Sequence, residues 1–377
     1  MVKPRRRRRH AAIAASFLSL TVLIILVGSS GIRDRLIPMV SWGDEPSASA
    51  DSERTQPKDE VLPAGCGVSA KLVPECGAWW GVAPGVFTGA TATRALADFE
   101  AKTRQRADVL HRYHRGNQLF PTKEELELAR YPGGERVLFF NWKVAWGSTW
   151  AQVAAGKLDR RIDRLAAHLK RTMSERFFLA IHHEPENDVQ PGRNSGMTAA
   201  DYAAMYRHTV QRLRAQGVDN AVFVMVYIGY QGWGTKSWFN QLYPGDSVVD
   251  WIGFDPYVSA NPRAHHYGDF SRLVNMTSSP QRWPGFYNWA AKNHPGKPLM
   301  LSEWGVFEHR PDLDRKASIF ESARRQLVDY PRLKALIYFD SPRAPKGDTR
   351  VDSSLEALNT FRGLATMPHF SCLRLPG

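Results

Sequence analysis

The stretch Phe177-Phe178-Leu179-Ala180-Ile181-His182-His183-Glu184-Pro185-Glu186-Asn187-Asp188 decides how the chain is read. Its first half has the length and aromatic, β-branched character of a strand covered on both faces. Pro185 cannot continue a hydrogen-bonded ladder, so the ionisable groups hang at the strand's carboxyl end. A second stretch, Pro298-Leu299-Met300-Leu301-Ser302-Glu303-Trp304-Gly305, has the same plan: a short apolar run delivering one glutamate. Two strands that each end in a glutamate predict a two-carboxylate site.

Apolar runs alternate with amphipathic stretches on both sides of these two segments. Strands are expected at Trp79 to Ala83, Val109 to His111, Arg136 to Trp142, Phe177 to Ile181, Ala221 to Tyr227, Val248 to Asp255, Pro298 to Ser302 and Ala335 to Asp340. Between them lie helical patterns. Leu158, Ile162, Leu165, Ala166 and Leu169 share one face, a Thr-x-x-Glu capping box opens at Thr122, and Thr198 with Asp201 caps a helix that stops near Gly217. Eight strands with long crossovers give a (β/α)8 TIM barrel, a fold of about 250 residues that fits this 377-residue chain. In such a barrel the carboxyl ends of strands four and seven face one mouth, which brings Glu184 and Glu303 together.

The formal net charge is +13, but Lys3 and Arg5 to Arg9 supply six of those positives and leave +7 on the remainder. The body lacks a basic stripe interleaved with aromatics, so nucleic acid is not an expected partner. Behind the basic patch, Ala11 to Gly28 is free of charge, the arrangement of an export segment. Residues 1–30 are therefore expected to be a signal peptide or a membrane anchor. Small residues follow without an A-x-A site, and the apolar run approaches spanning length, so both fates stay open. Either places the protein outside the cytoplasm, secreted or tethered. Residues 31–65 turn to Pro, Ser and charged residues and are expected to be a disordered linker, leaving 66–377 as the catalytic domain. Three cysteines fit an oxidising compartment with one bridge. Cys66 with Cys76 is the first pairing and Cys76 with Cys372 the second.

Two carboxyl groups flanking a glycosidic bond can divide its hydrolysis, one donating a proton to the leaving oxygen and the other attacking the anomeric carbon. The residues around the pair resemble the clan A glycoside hydrolases and, more narrowly, glycoside hydrolase family 26, the endo-mannanases. The likeness rests on His183-Glu184, on Ala154-Ala155-Gly156-Lys157-Leu158-Asp159 leading into Ile162 to Ala167, on Tyr206-Arg207-His208, and on Gly217-Val218-Asp219-Asn220. It implies a retaining hydrolase of β-linked polysaccharide, β-1,4-mannan first, with Glu184 as acid/base and Glu303 as nucleophile. It further implies that Tyr257 bonds the nucleophile and that His183 supports the acid. No cofactor or metal is required, and a monomer is expected.

Three stretches depart from the family pattern. Pro185-Glu186-Asn187-Asp188 stands where Met-Asn-Gly and a tryptophan are usual, Tyr227-Ile228-Gly229-Tyr230 where Trp-Ser-Pro-Asn is usual, and Phe339-Asp340 brings no tryptophan. Glu186 is a rival acid, set aside because it lies past the proline in the more exposed part of the turn. A barrel without turnover that only binds carbohydrate is the competing reading. A metal site built on His182, His183, Glu184 and Glu186 is weaker, because neighbouring strand residues point to opposite faces. For sugar stacking, Trp80, Trp142 and Trp304 at strand ends and Trp146 and Trp233 in loops are the candidates. His111, Asn141 and Asp340 are the candidate hydroxyl contacts.

Overall fold

The structure, a computed structural model, describes residues 66–278, 282–344 and 347–371. The expected export segment, the 31–65 stretch and Cys372 lie outside the described residues. The strands are β1 Trp79–Ala83, β2 Val109–Arg115, β3 Val137–Lys143, β4 Phe177–Ile181, β5 Ala221–Tyr227, β6 Trp251–Phe254, β7 Tyr257–Ser259, β8 Leu299–Phe307 and β9 Leu333–Phe339. They pair in parallel in the order β6-β5-β4-β3-β2-β1-β9-β8, and β6 pairs with β8 to close the ring. The short β7 adds on to the carboxyl half of β8, Tyr257 opposite Gly305. This is the expected (β/α)8 barrel.

The helices that cover the ring are α1 Ala92–Thr103, α2 Lys123–Ala129, α3 Trp150–Ala154, α4 Asp159–Thr172, α5 Ala199–Ala215, α6 Gln231–Gly234, α7 Phe270–Val274, α8 Phe286–Asn293, α9 Asp314–Gln326, α10 Leu355–Ala365 and α11 Pro368–Ser371. Both expected capping boxes form, Thr122 with Glu125 and Thr198 with Asp201. Along α4 the buried face is Ile162, Leu165, Ala166 and Leu169. Each large aliphatic residue there stabilises by roughly 1.5–3 kcal/mol against exposure, more than helix propensity can supply. No helix among the described residues is long and apolar enough to cross a membrane.

Strand parity sorts the core into two layers. Trp79, Val109, Phe139, Phe178, Val224 and Met300 fill the barrel, while Trp80, Leu110, Phe140 and Leu301 pack outward under the helices. The motifs shared with the resembling family act in the outer layer. His208 Nε2 lies 2.6 Å from Asp159 Oδ1, tying α5 to α4, and Asn220 donates to the carbonyls of Met173 and Glu175 at 3.0 and 2.8 Å.

The end of the barrel opposite the mouth is closed by the segment between Cys66 and Cys76, which are disulfide-bonded. Leu72, only 3% exposed, inserts there against the barrel interior. The indoles of Trp79 and Trp251 donate to the carbonyls of Leu72 and Lys71, both at 2.7 Å. These are the first residues of β1 and β6, so the plug bonds two walls of the barrel at once.

Candidate active site

At the end of β4 the chain turns sharply. His182 and Glu184 both adopt left-handed backbone (φ +53°), a conformation that costs a side-chain-bearing residue about 1 kcal/mol or more. The Glu184 N–H is anchored on the Val226 carbonyl at 3.1 Å, and Pro185–Asn187 follows as one 3-10 turn. The two turns separate the histidines. His182 swings outward, with Nε2 2.7 Å from Asp188 Oδ2 and Nδ1 accepting from the Trp150 indole at 3.3 Å. His183 stays by the mouth with its ring centroid 5.7 Å from that of Tyr113, and burial, then the charge of Lys143, keeps it neutral. The metal set read from the sequence is therefore not assembled.

Glu303 is 6% exposed and accepts two tyrosine O–H bonds, from Tyr113 to Oε1 and from Tyr257 to Oε2, each 2.8 Å. Gly305 makes this possible: a Cβ there would lie 2.8 Å from Cε1 of the Tyr257 ring. Burial raises the Glu303 carboxyl and the Glu184 charge raises it further, while the two hydroxyls pull it back by favouring the ionised form. A third carboxyl completes the group. Oxygens of Glu184, Asp255 and Glu303 lie within 4.8 Å of one another. Asp255 accepts from Ser302 Oγ at 2.6 Å, and its carboxyl is raised well above the ordinary range by burial and then by the charges of Glu303 and Glu184. Oxygen ligands so arranged suit a hard cation in principle, but both Glu303 oxygens and one of Asp255 are already taken by hydroxyl donors.

Tyr113 and Asp255 are site residues that the sequence reading did not assign. β2 was expected to stop at His111 and instead runs to Arg115, carrying Tyr113 to the mouth. The signal was alternation: Arg112 and His114 turn outward to Glu125 at 3.2 and 3.1 Å, so His111 and Tyr113 turn inward. Asp255 was read as a strand end without a role.

Beside the carboxylates opens a cleft of about 590 Å³, lined among others by Glu184, Tyr230, Trp233, Lys236, Tyr257 and His266. Glu184, Tyr257 and Trp233 all lie on the cleft wall. Asn141 sits on β3 opposite Tyr113, 1% exposed, with neither side-chain polar atom hydrogen-bonded among the described residues. Trp146 is 51% exposed at the rim, the Arg115 guanidinium 4.3 Å from its ring.

Other expected contacts are corrected. Trp80, Trp142 and Trp304 are fully buried in the layer between strands and helices, not in the mouth. Trp80 packs on Phe361 and Phe370, Trp142 on Phe120, and Trp304 on Tyr338 and Phe320. His111 is not a hydroxyl contact at the rim. It lies inside the barrel stacked on Phe139, lowered to about 3 by burial and then by Arg112. The Asp340 carboxylate accepts from the Val351 N–H at 2.9 Å and so holds the loop after β9. Glu186 is not in an exposed part of the turn. It is 1% exposed, accepts from the Ile228 N–H at 2.9 Å, and is pushed up to about 8 by burial. It holds the backbone of Ile228, a residue of the cleft lining.

The glycosyl hydrolase family 26 profile matches residues 142–282, from the end of β3 to just before α8. Solved structures with the same fold include a mannanase from Bacillus subtilis, 11% identical with a TM-score of 0.52, covering 79% of this chain and 87% of that one. A modular endo-beta-1,4-mannanase from Cellulomonas fimi is 18% identical with a TM-score of 0.52, covering 79% and 73%. A beta-mannanase from Bacteroides ovatus is 16% identical with a TM-score of 0.51, covering 78% and 90%. A comparison with curated proteins gives no match.

Proposed function

We propose that this glycoside hydrolase, matched to family 26 over residues 142–282, is a retaining enzyme that cleaves β-linked polysaccharide, β-1,4-mannan first. Glu184 serves as acid/base and Glu303 as nucleophile. The observation that carries the reading is the convergence of the Glu184, Asp255 and Glu303 oxygens within 4.8 Å. Oxygens this close let one carboxylate attack the carbon whose leaving oxygen the other protonates, the division of work in retaining enzymes. Glu303, raised to about 8 by burial and then by the Glu184 charge, ionises as Glu184 takes up the proton, and its two hydroxyl donors favour the anion that attacks. Glu184, at the cleft edge, gives its proton to the departing sugar and later takes one from the water that frees the product. Asn141 and Trp233 supply hydroxyl and ring contacts, and His183 packs beside the acid. The altered turn after Glu184 leaves that carboxyl on the cleft wall, which disfavours a barrel that binds without turnover. Residues 66–377 form the catalytic domain in this reading. The export segment and linker before it make the enzyme secreted or tethered outside the cytoplasm, acting as a monomer without a cofactor.

NMR of the first products from mannan, mixed-linkage glucan and xylan tests the reaction. The β-anomer is expected before mutarotation; the α-anomer as initial product overturns the retaining assignment.

The tyrosine pair makes a pH prediction. Each O–H favours ionised Glu303, so its loss in Tyr113→Phe raises that carboxyl further. Only the ionised form attacks, so the acidic limb of kcat/KM moves to higher pH, and activity on that limb falls about tenfold. An unmoved limb would show that Tyr113 does not set the charge state of Glu303.

A further inference from the structure

Phe87, in the loop after β1, combines two unfavourable features. Its side chain is 60% exposed and its backbone is left-handed at φ +64°. An exposed aromatic alone is ordinary, but a bulky residue at positive φ is a genuine outlier. The loop is held from several sides. Val86 N–H donates to the Asp340 carbonyl at 3.2 Å, Ser341 Oγ donates to the Val86 carbonyl at 2.7 Å, and Thr88 N–H donates to the Gly85 carbonyl at 3.1 Å. The surroundings thus impose an unfavourable conformation that presents a ring to solvent, the pattern expected of a functional position.

The ring order says where that ring points. Counting around the closed sheet, β1 lies across the barrel from β5, whose loop carries Tyr230 and Trp233 on the cleft. Phe87 therefore stands on the opposite rim, with the carboxylates of β4 and β8 between. Aromatic rings lead inward from it. The Phe87 centroid is 6.2 Å from that of Phe339, which is 6.0 Å from Tyr257 and 6.4 Å from Tyr113, the two residues bonded to Glu303. The C–H faces of β-linked pyranoses are apolar, and a fixed aromatic face is a surface on which they stack.

We propose that Phe87 carries a pyranose unit of the substrate on the side of the catalytic pair away from the cleft. The chain then lies across the mouth with units on both sides of the scissile bond, and internal linkages are cut. This rests on the glycoside hydrolase reading of the same site.

The test uses Phe87→Gly, which accepts the left-handed backbone, and Phe87→Tyr, which keeps the ring. On oligosaccharides of increasing length from the polysaccharide that the wild type cleaves, kcat/KM is expected to rise with length. In Phe87→Gly that rise is expected to shrink about tenfold, without a lower melting temperature, and Phe87→Tyr keeps it. The same length dependence in all three proteins overturns the proposal. Should the wild type cleave none of mannan, xylan and mixed-linkage glucan, the functional reading fails. Phe87 is then judged on native gels containing those polymers: retardation lost in Phe87→Gly supports the shelf, and equal migration overturns it.

Discussion

Glu303→Ala is expected to lower kcat/KM on the cleaved polysaccharide by on the order of 10⁵-fold, because the proposed nucleophile is gone and water has no preorganised path to replace it. The fold should survive, since the Glu303 carboxyl bonds the hydroxyls of two mouth side chains, Tyr113 and Tyr257, and not the backbone ladder of the barrel. Its loss leaves the Tyr257 hydroxyl without an acceptor, a cost of about 1–3 kcal/mol if no water enters, while the Tyr113 hydroxyl still has His111 Nδ1 at 3.4 Å. Azide should restore turnover by entering the space of the carboxylate, and a glycosyl azide of inverted configuration should result. A folded Glu303→Ala protein that retains a tenth of wild-type activity would remove Glu303 from the reaction.

Glu184→Ala is expected to fall by about 10²- to 10⁴-fold on polysaccharide, the range for loss of general acid catalysis. The loss should depend on the leaving group. An aryl glycoside with an acidic phenol departs without a proton, so its first step is spared and the covalent intermediate accumulates as a burst. The rival acid is separated by the same substrates. Glu186→Gln should show no leaving-group dependence, because Glu186 is bonded to the Ile228 N–H beneath the cleft. A leaving-group effect in Glu186→Gln and none in Glu184→Ala would exchange their roles.

The barrel was legible because buried strands announce themselves as apolar runs. Trp79–Ala83, Phe177–Ile181 and Ala221–Tyr227 form with the expected bounds. Where a strand leaves the apolar interior for the mouth its sequence turns polar, and β2 was cut short for that reason, hiding Tyr113. The tryptophans were misplaced for a different cause. Glu303 faces the mouth, so Trp304, its neighbour on the strand, must face the helices, and the same holds for Asn141 and Trp142. The burial of Glu186 follows from a turn that folds back under β5, a contact 42 residues away in sequence that no local pattern reports.

The paired tyrosine bonds on Glu303 bear on how long the covalent intermediate lives. In the proposed reaction the carboxylate becomes an ester: one oxygen is bonded to carbon and loses most of its basicity, and the other becomes a carbonyl. The two hydroxyls, equivalent toward the free carboxylate at 2.8 Å each, are then no longer equivalent. One keeps a fair acceptor and the other is left facing a poor one. Restoring the symmetric anion restores both bonds, so the same pair that steadies the resting nucleophile makes it a better leaving group in the second step. The clamp thus shortens the lifetime of the glycosyl-enzyme, and trapping that species should be easier when either hydroxyl is removed.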